Sequence, residues 1–428
     1  MKVAFHFNNS NISEVDFSCI EEGNPGIGGS ENSHVLIPTL LMKRGNIDAV
    51  LLINKNSRFA SWVEYDVVND SEGALIYCQS NNIDILVFDA KFVDVTLLVK
   101  YPDVNVVLWS HNFITIKQLR IYSKLDNVLR IVNVGREYND LYRDMNIFAK
   151  SAYIFNSFNM EYLKKYMNGQ PSFASRGNNI VYVGSLIRVK GFCLLAKAWP
   201  EIKKQVPDAE LFVIGSGKLY DRNAQLGEWG IADDEYEKEF IPYLLENGKI
   251  SSSVHFMGLL GIKKFEIMKR CRVGIPNPSG TSETFGNGAV EMALMGCNVT
   301  TIRCVGYLDS VYNKGNLYNT PKELAGFVIR LLKEESDPHE RLVEFIDNNF
   351  SLRIVIEQWE KLFKSNLLFP VIPEPLFCND SNYHNKKLKE WIRKHIPFFL
   401  RRYIPAVERF YPCLFTRIVR KINRIMEK

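Results

Sequence analysis

The chain has 428 residues, of which 46% are hydrophobic and 24% charged, and its formal net charge is +5 at neutral pH. This composition excludes a disordered or fibrous chain, and the length suffices for two or three domains. The sequence contains no apolar run of about 18 residues, the minimum for a spanning helix, and it begins without the apolar core and cleavage site of a signal peptide.

Short apolar runs rich in β-branched residues alternate with helix-like stretches in the first part of the chain. Such runs suit strands buried on both faces, and their alternation with helices predicts a parallel, doubly wound sheet. A helix is expected over residues 30–44, ended by Gly45 and kinked by Pro38. The predicted strands are residues 3–7, 49–53, 83–88, 104–110, 131–134 and 153–155.

Residues 169–179 are polar and contain glycine and proline, which predicts a linker, and the same pattern then starts again. The acidic stretch 220–249 lacks a clear period and is expected to be a loop that contains a helix. Two α/β halves place a ligand cleft between them, outside the carboxyl ends of the strands. The second half is predicted to have strands at 180–183, 210–214, 254–257, 273–275 and 299–302, and helices at 192–205, 289–295, 321–334 and 351–363.

Residues 279–297 contain the most informative motif, in which Glu283 and Glu291 flank a glycine-rich turn that leads into an apolar helix. A helix that starts near Asn287 directs its free N–H groups and positive dipole end at the loop, which makes an anion site suited to phosphate. Eight helical positions span about 12 Å, similar to the span from hexose to ribose in a nucleotide-sugar. Carboxylates accept hydrogen bonds from hydroxyl pairs, so the motif predicts a site for a sugar, a diphosphate and a ribose.

Eight cysteines are scattered along the chain and no two have C-x-x-C spacing. Several stand within apolar patterns, which favours buried, reduced thiols in a cytosolic protein and disfavours a metal site built from them. The sequence also lacks the Asp-x-Asp motif, and the acidic run at Asp233 and Asp234 is expected to be a solvated loop. The sequence therefore predicts no metal.

Over residues 1–365 the chain resembles the retaining glycosyltransferases of family 4, which have the two-domain GT-B fold. The resemblance is strongest within residues 178–320 and is carried by segments that occur in the family's order. They are residues 26–31, 181–191, 211–217, 254–258 and the Glu283-to-Glu291 motif, followed by Gly306-Tyr307 and residues 315–317.

The resemblance implies an α/β architecture of two Rossmann-like, doubly wound parallel-sheet domains that face a cleft. Residues 1–170 would form the acceptor-side domain and residues 178–345 the nucleotide-sugar domain. Residues 346–365 would form a return helix, and residues 366–428 a linker followed by a basic amphipathic helical tail.

The resemblance also implies roles for the matching residues. Glu283 would hold donor-sugar hydroxyls near the reacting carbon, His111 would lie beside the hexose, and Lys190 would complete the catalytic set. Glu291 would bind the ribose. The remaining donor-binding residues would be Gly28 and Gly29, whose backbone approaches the phosphates, Arg188, which neutralises them together with Lys190, and Phe285, Gly286 and Asn287, which offer backbone N–H groups.

Simpler interpretations stay open for each of these residues. Glu283 and Glu291 could belong to a surface loop and an exposed helix face. Gly28 and Gly29 could form only a turn before a helix capped by Ser30. His111 could be a hydrogen-bonded core histidine. Lys190 and Arg188 could be solvated. Many relatives have Arg where this chain has Ser185, so Arg188 takes over that charge or Lys190 acts with backbone donors alone.

The last 45 residues carry a strong positive charge. Residues 384–428 contain thirteen Lys and Arg against three Glu, a net charge of +10, so residues 1–383 carry −5. Apolar residues share helical faces in two amphipathic repeats that three prolines divide, which predicts binding of residues 386–428 to an anionic membrane surface. The alternative is that these helices dock on the catalytic body or on a partner helix. Nucleic acid is not expected as a partner, because its binders usually carry the basic surface on folded domains.

These features together predict a retaining, metal-independent hexosyltransferase without a cofactor, with a nucleotide-diphosphate sugar as donor and a slight preference for a UDP-sugar. The acceptor would be a glycan or a polyprenyl-diphosphate-linked glycan in the assembly of O-antigen, capsule or lipopolysaccharide. The expected location is cytoplasmic, peripheral on the cytoplasmic face of the inner membrane. The alternatives are a non-catalytic nucleotide-sugar-binding membrane scaffold, and a sugar-nucleotide epimerase or phosphorylase on the same fold.

Overall fold

The computed structural model describes residues 1–334, 339–365, 391 and 393–401. Its first half is built on a seven-stranded sheet in the order β3-β2-β1-β4-β5-β6-β7, in which every pair of neighbours is parallel. The strand order reverses between β1 and β4, where a doubly wound sheet opens a crevice at its carboxyl edge. The strands are β1 Lys2–Phe7, β2 Asp48–Ile53, β3 Tyr65–Val67, β4 Ile85–Asp89, β5 Val106–Ser110, β6 Val128–Asn133 and β7 Ser151–Tyr153.

Six α-helices of the first half connect these strands or follow the last of them. The first helix runs through Pro38 and ends at Gly45, whose left-handed backbone lets its N–H bond the carbonyls of Leu41 and Met42. The predicted helix end at Gly45 is thus confirmed. The helices are α1 Gly29–Arg44, α2 Ser71–Ser80, α3 Val95–Lys100, α4 Ile116–Tyr122, α5 Arg136–Asp140 and α6 Met160–Met167.

The second half contains a five-stranded parallel sheet in the order β12-β9-β8-β13-β14, which reverses between β8 and β13. A short hairpin, β10 with β11, lies within the acidic stretch, and β15 pairs with β16 apart from the main sheet. The strands are β8 Asn179–Val183, β9 Glu210–Ile214, β10 Leu245–Glu246, β11 Lys249–Ile250, β12 Val254–Gly258, β13 Val273–Ile275, β14 Asn298–Val299, β15 Thr301–Ile302 and β16 Leu317–Tyr318.

The helices of the second half include one that returns to the first. Trp359 of the last long helix is fully buried against Phe5 and Trp109 of the first sheet, and Glu360 pairs with Arg44. The helices are α7 Phe192–Gln205, α8 Asp234–Phe240, α9 Lys264–Met268, α10 Asn287–Leu294, α11 Val305–Ser310, α12 Leu324–Lys333, α13 His339–Phe350 and α14 Leu352–Lys364. The short helix α15 Phe398–Arg401 lies in the tail.

The stretch between the two sheets is packed against the second half. Residues Phe173–Arg176 form a 3-10 helix, and the buried guanidinium of Arg176 donates to the carbonyls of Cys271 and Met295. The linker therefore has a fixed path beside α10.

Most predicted strands and helices are present, and the differences have physical causes. The strand β3 was missed because all three of its residues are exposed at a sheet edge. The single strand predicted at 299–302 is two, because the chain leaves the main sheet at Thr300 to pair β15 with β16. Of the described cysteines, Cys78, Cys193, Cys271 and Cys297 are buried as expected, whereas Cys19 is exposed.

Most of the predicted tail, including all of its second amphipathic repeat, lies outside the described residues, whereas residues 391 and 393–401 of the first repeat are described. Within the described part of the chain, no helix combines the length and the apolarity that crossing a membrane requires.

The buried imidazole of His6 makes a pH dependence of stability predictable. Burial, together with the nearby His34, lowers the pKa of His6 from 6.5 to about 4. The unfolded state then binds more protons at His6 than the folded state does between these values, so His6 alone should lower the free energy of unfolding by about 3 kcal/mol as the pH drops from 6.5 towards 4 and should contribute no slope above. Urea titrations across this range would measure it.

The control is the variant His6→Phe. Its free energy of unfolding can differ from that of wild type at every pH, but it should change less between pH 6.5 and 4 because the His6 contribution is gone. An unchanged slope in His6→Phe would contradict the assignment to His6.

Candidate active site

A cleft of about 240 Å³ lies between the carboxyl edges of the two sheets. The loop after β1 leads to Gly28, the loop after β8 to Lys190, and the loop after β13 to Glu283, so three strands beside the two reversal points direct residues to one place. All but one of the predicted site residues line this cleft. They are Gly28, Gly29, His111, Lys190, Glu283, Phe285, Gly286, Asn287 and Glu291.

An ion pair at the floor of the cleft joins two predicted residues, Lys190 and Glu283. The Lys190 Nζ donates to Glu283 Oε2 at 3.1 Å, and Asn277 Nδ2 donates to the same oxygen at 3.2 Å. Burial by itself lowers the pKa of Lys190, but the charge of Glu283 and the hydrogen bond between them more than offset this, and the pKa is raised. Lys190 is therefore a fixed cation at neutral pH.

The turn that carries Lys190 is locked to the loop that carries Glu283. Ser279 Oγ donates to the Val189 carbonyl at 2.8 Å, and a Cβ at Gly191 would lie 2.7 Å from the Ser279 Cβ. Ser282 has a positive φ of 57°, which non-glycine residues seldom adopt. Such local strain persists only where surrounding contacts hold it, as they do beside Glu283.

The helix α10 begins at Asn287, where the sequence predicted it, with Gly286 as its N-cap. Gly286 has a φ of 86°, and a Cβ there would lie 2.5 Å from the Tyr307 ring, so the turn requires glycine. Within the described residues, no acceptor is recorded for the N–H groups of Asn287 and Gly288. These groups and the positive helix end face the cleft and suit a phosphate. Because Glu283 precedes the helix by a loop, the helical span of about 12 Å does not apply to the Glu283–Glu291 pair.

The glycine loop of the first half closes over this helix start. A Cβ at Gly29 would lie 2.7 Å from Asn287 Nδ2, and one at Gly28 would lie 2.0 Å from Glu31 Oε2 and 2.6 Å from the Tyr220 ring. A side chain at either position would have to displace these side chains. The N-cap of α1 is Gly28 and not Ser30, so the interpretation as a serine-capped helix start is wrong.

Glu291 is held by a lysine that the sequence did not identify. Lys264 Nζ donates to both carboxylate oxygens of Glu291, at 2.6 and 2.7 Å, and both side chains are nearly buried. The pairing fixes the carboxylate at the edge of the cleft, with Lys264 also lining it. A ribose that hydrogen-bonds Glu291 therefore meets the Lys264 ammonium as well.

His111 lies at the carboxyl end of β5 with only 7% of its surface exposed. Burial, and the nearby His34, lower its pKa well below the ordinary value, so its imidazole is neutral at neutral pH. The His111 carbonyl accepts a hydrogen bond from Thr284 Oγ1 at 2.6 Å, which ties the first half to the Glu283 loop. Both ring nitrogens are inaccessible to solvent, so a hydrogen bond from His111 to a sugar hydroxyl stays a prediction.

Arg188 is the predicted residue that the structure does not bring to the cleft. Its guanidinium is about half exposed and pairs with Glu239 at 2.6 Å, with Asp233 farther away at 3.9 Å. The prediction that Arg188 neutralises the diphosphate is therefore unsupported. Ser185 Oγ donates to the Ser216 carbonyl at 3.3 Å and supplies no charge either. The alternative in which Lys190 acts with backbone donors alone stays a prediction.

Lys264, Tyr220 and Asn277 line the cleft without having been predicted. Lys264 had no local signal, since it is one of 53 Lys and Arg. Tyr220 is the first residue of the stretch predicted as an acidic loop, and an aromatic residue there was the only hint of a buried position. Burial raises the pKa of Tyr220, which keeps its phenol protonated.

One group of metal-ligating side chains occurs in the described part of the chain. It comprises His34, Asp89 and His111, whose ligand atoms all lie within 4.8 Å of one another. His34 Nδ1 bonds the Ser30 carbonyl, which leaves Nε2 towards the group. Burial raises the pKa of Asp89. The group forms part of the cleft wall through His111, and the metal-free reaction stays a prediction.

Solved structures of glycosyltransferases share this architecture. A glycosyltransferase from Rickettsia africae ESF-5 has a TM-score of 0.60 at 13% identity, over 86% of this chain and 98% of that one. The catalytic domain of starch synthase IV from Arabidopsis thaliana, bound to ADP and acarbose, has a TM-score of 0.57 at 12% identity, over 86% and 99%. The lipopolysaccharide outer core galactosyltransferase WaaB has 0.55 at 12%, over 86% and 100%. The fold is therefore GT-B, as predicted.

The second half of the chain carries the finer similarity. Residues 177–334 match the family model described as Glycosyl transferases group 1. No curated protein sequence matches the chain. The second half is therefore similar to the group 1 glycosyltransferases, and the whole shares the GT-B fold.

Proposed function

We propose that the protein is a retaining hexosyltransferase that moves a hexose from a nucleotide-diphosphate sugar to an acceptor hydroxyl. The observation that carries this proposal is the Lys190–Glu283 pair, held at 3.1 Å directly before the open N-terminus of α10 in the cleft between two GT-B halves. A cation, a carboxylate and free N–H groups in one place match the phosphates and hydroxyls of such a donor.

The donor would lie with its diphosphate against the N–H groups of Asn287 and Gly288 and with its ribose towards Glu291. Glu283 Oε2 is already taken by Lys190 and Asn277, so Oε1 would accept the hexose hydroxyls. His111 would hold the hexose from the opposite wall. The glycine loop of residues 28–29 would pack over the phosphates.

In the reaction the bond between the anomeric carbon and the phosphate oxygen breaks, and negative charge grows on the departing nucleoside diphosphate. Lys190 and the helix start are fixed donors for that charge, and such donors can lower the barrier by several kcal/mol. They would serve in place of a metal or another cofactor. By the family resemblance, the acceptor oxygen attacks on the same face and gives its proton to the leaving phosphate, which retains the anomeric configuration.

The acceptor is proposed to be a lipid-linked glycan of a bacterial surface polysaccharide, such as O-antigen, capsule or lipopolysaccharide. The support for this finer statement is the basic tail of residues 386–428, which suits an anionic cytoplasmic membrane face. One structural neighbour is a lipopolysaccharide outer core galactosyltransferase, although at 12% identity that likeness shows the fold alone.

Thermal denaturation against a panel of nucleotide-sugars tests the proposed donor class. A ligand that binds only the folded state at about 100 times its Kd should add about 2.7 kcal/mol to the free energy of unfolding. We expect this shift for one nucleotide-diphosphate sugar, with UDP-sugars the first candidates, and not for the matching sugar alone. Glu291→Gln should reduce the shift if the ribose lies there. Absence of any shift across the panel would contradict the proposed donor site.

An assay of donor hydrolysis or sugar transfer distinguishes an enzyme from a scaffold that only binds the donor. Release of nucleoside diphosphate from the stabilising nucleotide-sugar should be measurable in wild type. A donor that binds without turnover, with every acceptor and with water, would favour the scaffold alternative.

A further inference from the structure

The short tail segment 391–401 exposes an unusual density of large apolar side chains. Trp391 is 58% exposed, Phe398 49%, Phe399 60% and Leu400 44%. These four residues are here termed the apolar patch. They stand among basic residues, and the Trp391 ring stacks on the ring of His395. A cluster of exposed aromatic and aliphatic side chains of this kind marks a surface that binds a protein or a membrane.

The segment is fastened to the first half of the protein by a two-pronged ion pair. Arg393 Nε lies 2.9 Å from Asp144 Oδ1, and Arg393 Nη2 lies 3.0 Å from Asp144 Oδ2. Only 7% of the Arg393 side chain and 13% of the Asp144 side chain are exposed. A fork of this geometry fixes orientation as well as distance, so the apolar patch has a defined place on the body.

A basic helix lies beside the attachment point. Asp144 stands two residues before the 3-10 helix Asn146–Lys150, which packs against α4. The surface of α4 and of the turn after it exposes Ile116, Lys117, Arg120 and Lys124, here termed the basic face. His111 and Asn112 line the cleft, and α4 starts four residues after Asn112.

We infer that the apolar patch and the basic face together bind one anionic lipid surface, and that the Arg393–Asp144 pair couples the tail to the first half so that the cleft is held at the membrane. Aromatic side chains enter the headgroup boundary, while Lys and Arg meet anionic headgroups. The net charge of +10 over residues 384–428 favours a lipid surface over an apolar partner protein. This inference rests on the proposed function for the nature of the substrate brought to the cleft.

Flotation of the full chain with vesicles tests the apolar patch. Wild type should bind vesicles of phosphatidylcholine with phosphatidylglycerol and bind pure phosphatidylcholine far less. The double variant Phe398→Ser and Phe399→Ser should bind the anionic vesicles roughly tenfold more weakly, since two aromatic rings no longer leave water. The matched control is Val67→Ser with Ile76→Ser, two apolar residues of the first half that are each about half exposed, and this variant should bind as wild type.

A double-mutant cycle tests the coupling. Lys117→Gln with Arg120→Gln should weaken binding about fivefold for each residue in wild type. In an Asp144→Asn background the same two changes should have less than a twofold effect, because the tail then binds without bringing α4 to the surface. Asp126→Asn, which removes an exposed acid of the same half, serves as the control background.

If Lys117→Gln with Arg120→Gln weakened vesicle binding as much in the Asp144→Asn background as in wild type, the inferred coupling of the tail to α4 would be wrong. Wild-type binding by the Phe398→Ser and Phe399→Ser variant would overturn the lipid-binding role of the patch, as would a change from dimer to monomer in that variant, which would assign the patch to a second copy. Release of nucleoside diphosphate without vesicles is measured in parallel. If wild type binds vesicles but releases no nucleoside diphosphate, the proposed function is wrong and this inference stands. If wild type releases nucleoside diphosphate but does not bind vesicles, this inference is wrong and the proposed function stands.

Discussion

Glu283→Gln should lower kcat for sugar transfer by about 10²–10³-fold while changing the donor KM by much less. The substitution keeps the shape of the side chain but removes the charge that Lys190 now pairs with at 3.1 Å. It also replaces a carboxylate, whose two oxygens both accept hydrogen bonds from sugar hydroxyls, by an amide in which only the oxygen accepts them. Steady-state kinetics with the nucleotide-sugar chosen by thermal denaturation measures both parameters.

The matched control is Glu239→Gln. Glu239 also pairs with a basic residue of the same 3-10 turn, Arg188 at 2.6 Å, but on the exposed side away from the cleft. It should leave kcat unchanged, because exposed ion pairs contribute little and this one does not face the donor. Equal activity of wild type and Glu283→Gln would remove Glu283 from the reaction, and equal loss in both variants would attribute the effect to the turn as a whole.

Much of the fold could be predicted because buried parallel strands leave an apolar signature. The strands β1, β2, β4 and β5 are almost fully buried, and their runs of branched residues located them to within two residues. The edge strand β3 has no such signature. Neither does the hairpin of β10 and β11, with strands of two residues each. Their positions depend on neighbours that the sequence does not reveal.

The site was predictable where one short segment supplies several parts of it. Residues 283–291 contain a carboxylate, the helix start and a second carboxylate, and a glycine-rich helix start is by itself suited to a phosphate. The prediction for Arg188 placed the residue on the right turn but did not foresee that its side chain points away from the cleft. Arg188 and Lys190 are two residues apart on a 3-10 turn, so their side chains leave it on different sides, and the sequence gave no reason to choose between them.

Lys264 illustrates what sequence reasoning could not reach. It stands 27 residues before Glu291 on a separate short helix, and only the packing of α9 beside α10 brings the two together. The same holds for the closure of Gly29 on Asn287, which joins residues from opposite halves. Pairings across a cleft depend on tertiary placement, whereas a helix start depends on local sequence.

Lys190→Met should slow transfer by about 10²–10³-fold, since the departing nucleoside diphosphate loses its only fixed side-chain cation among the residues that we assign to the phosphates. The effect should fall mainly on kcat, because the charge that Lys190 neutralises grows as the bond to the sugar breaks. Lys190→Arg should restore part of the rate, as it keeps the charge with a different reach. Pre-steady-state measurement of nucleoside diphosphate release isolates the step.

Stability distinguishes a chemical role from a structural one. Lys190→Met alone leaves the nearly buried carboxylate of Glu283 without its cation, which should lower the free energy of unfolding by a few kcal/mol. The double variant Lys190→Met with Glu283→Gln removes both charges and should recover most of that loss, while its kcat stays as low as that of the worse single variant. If activity recovered together with stability, Lys190 would serve only to hold the loop, and the leaving-group role would have to pass to the backbone N–H groups of α10 alone.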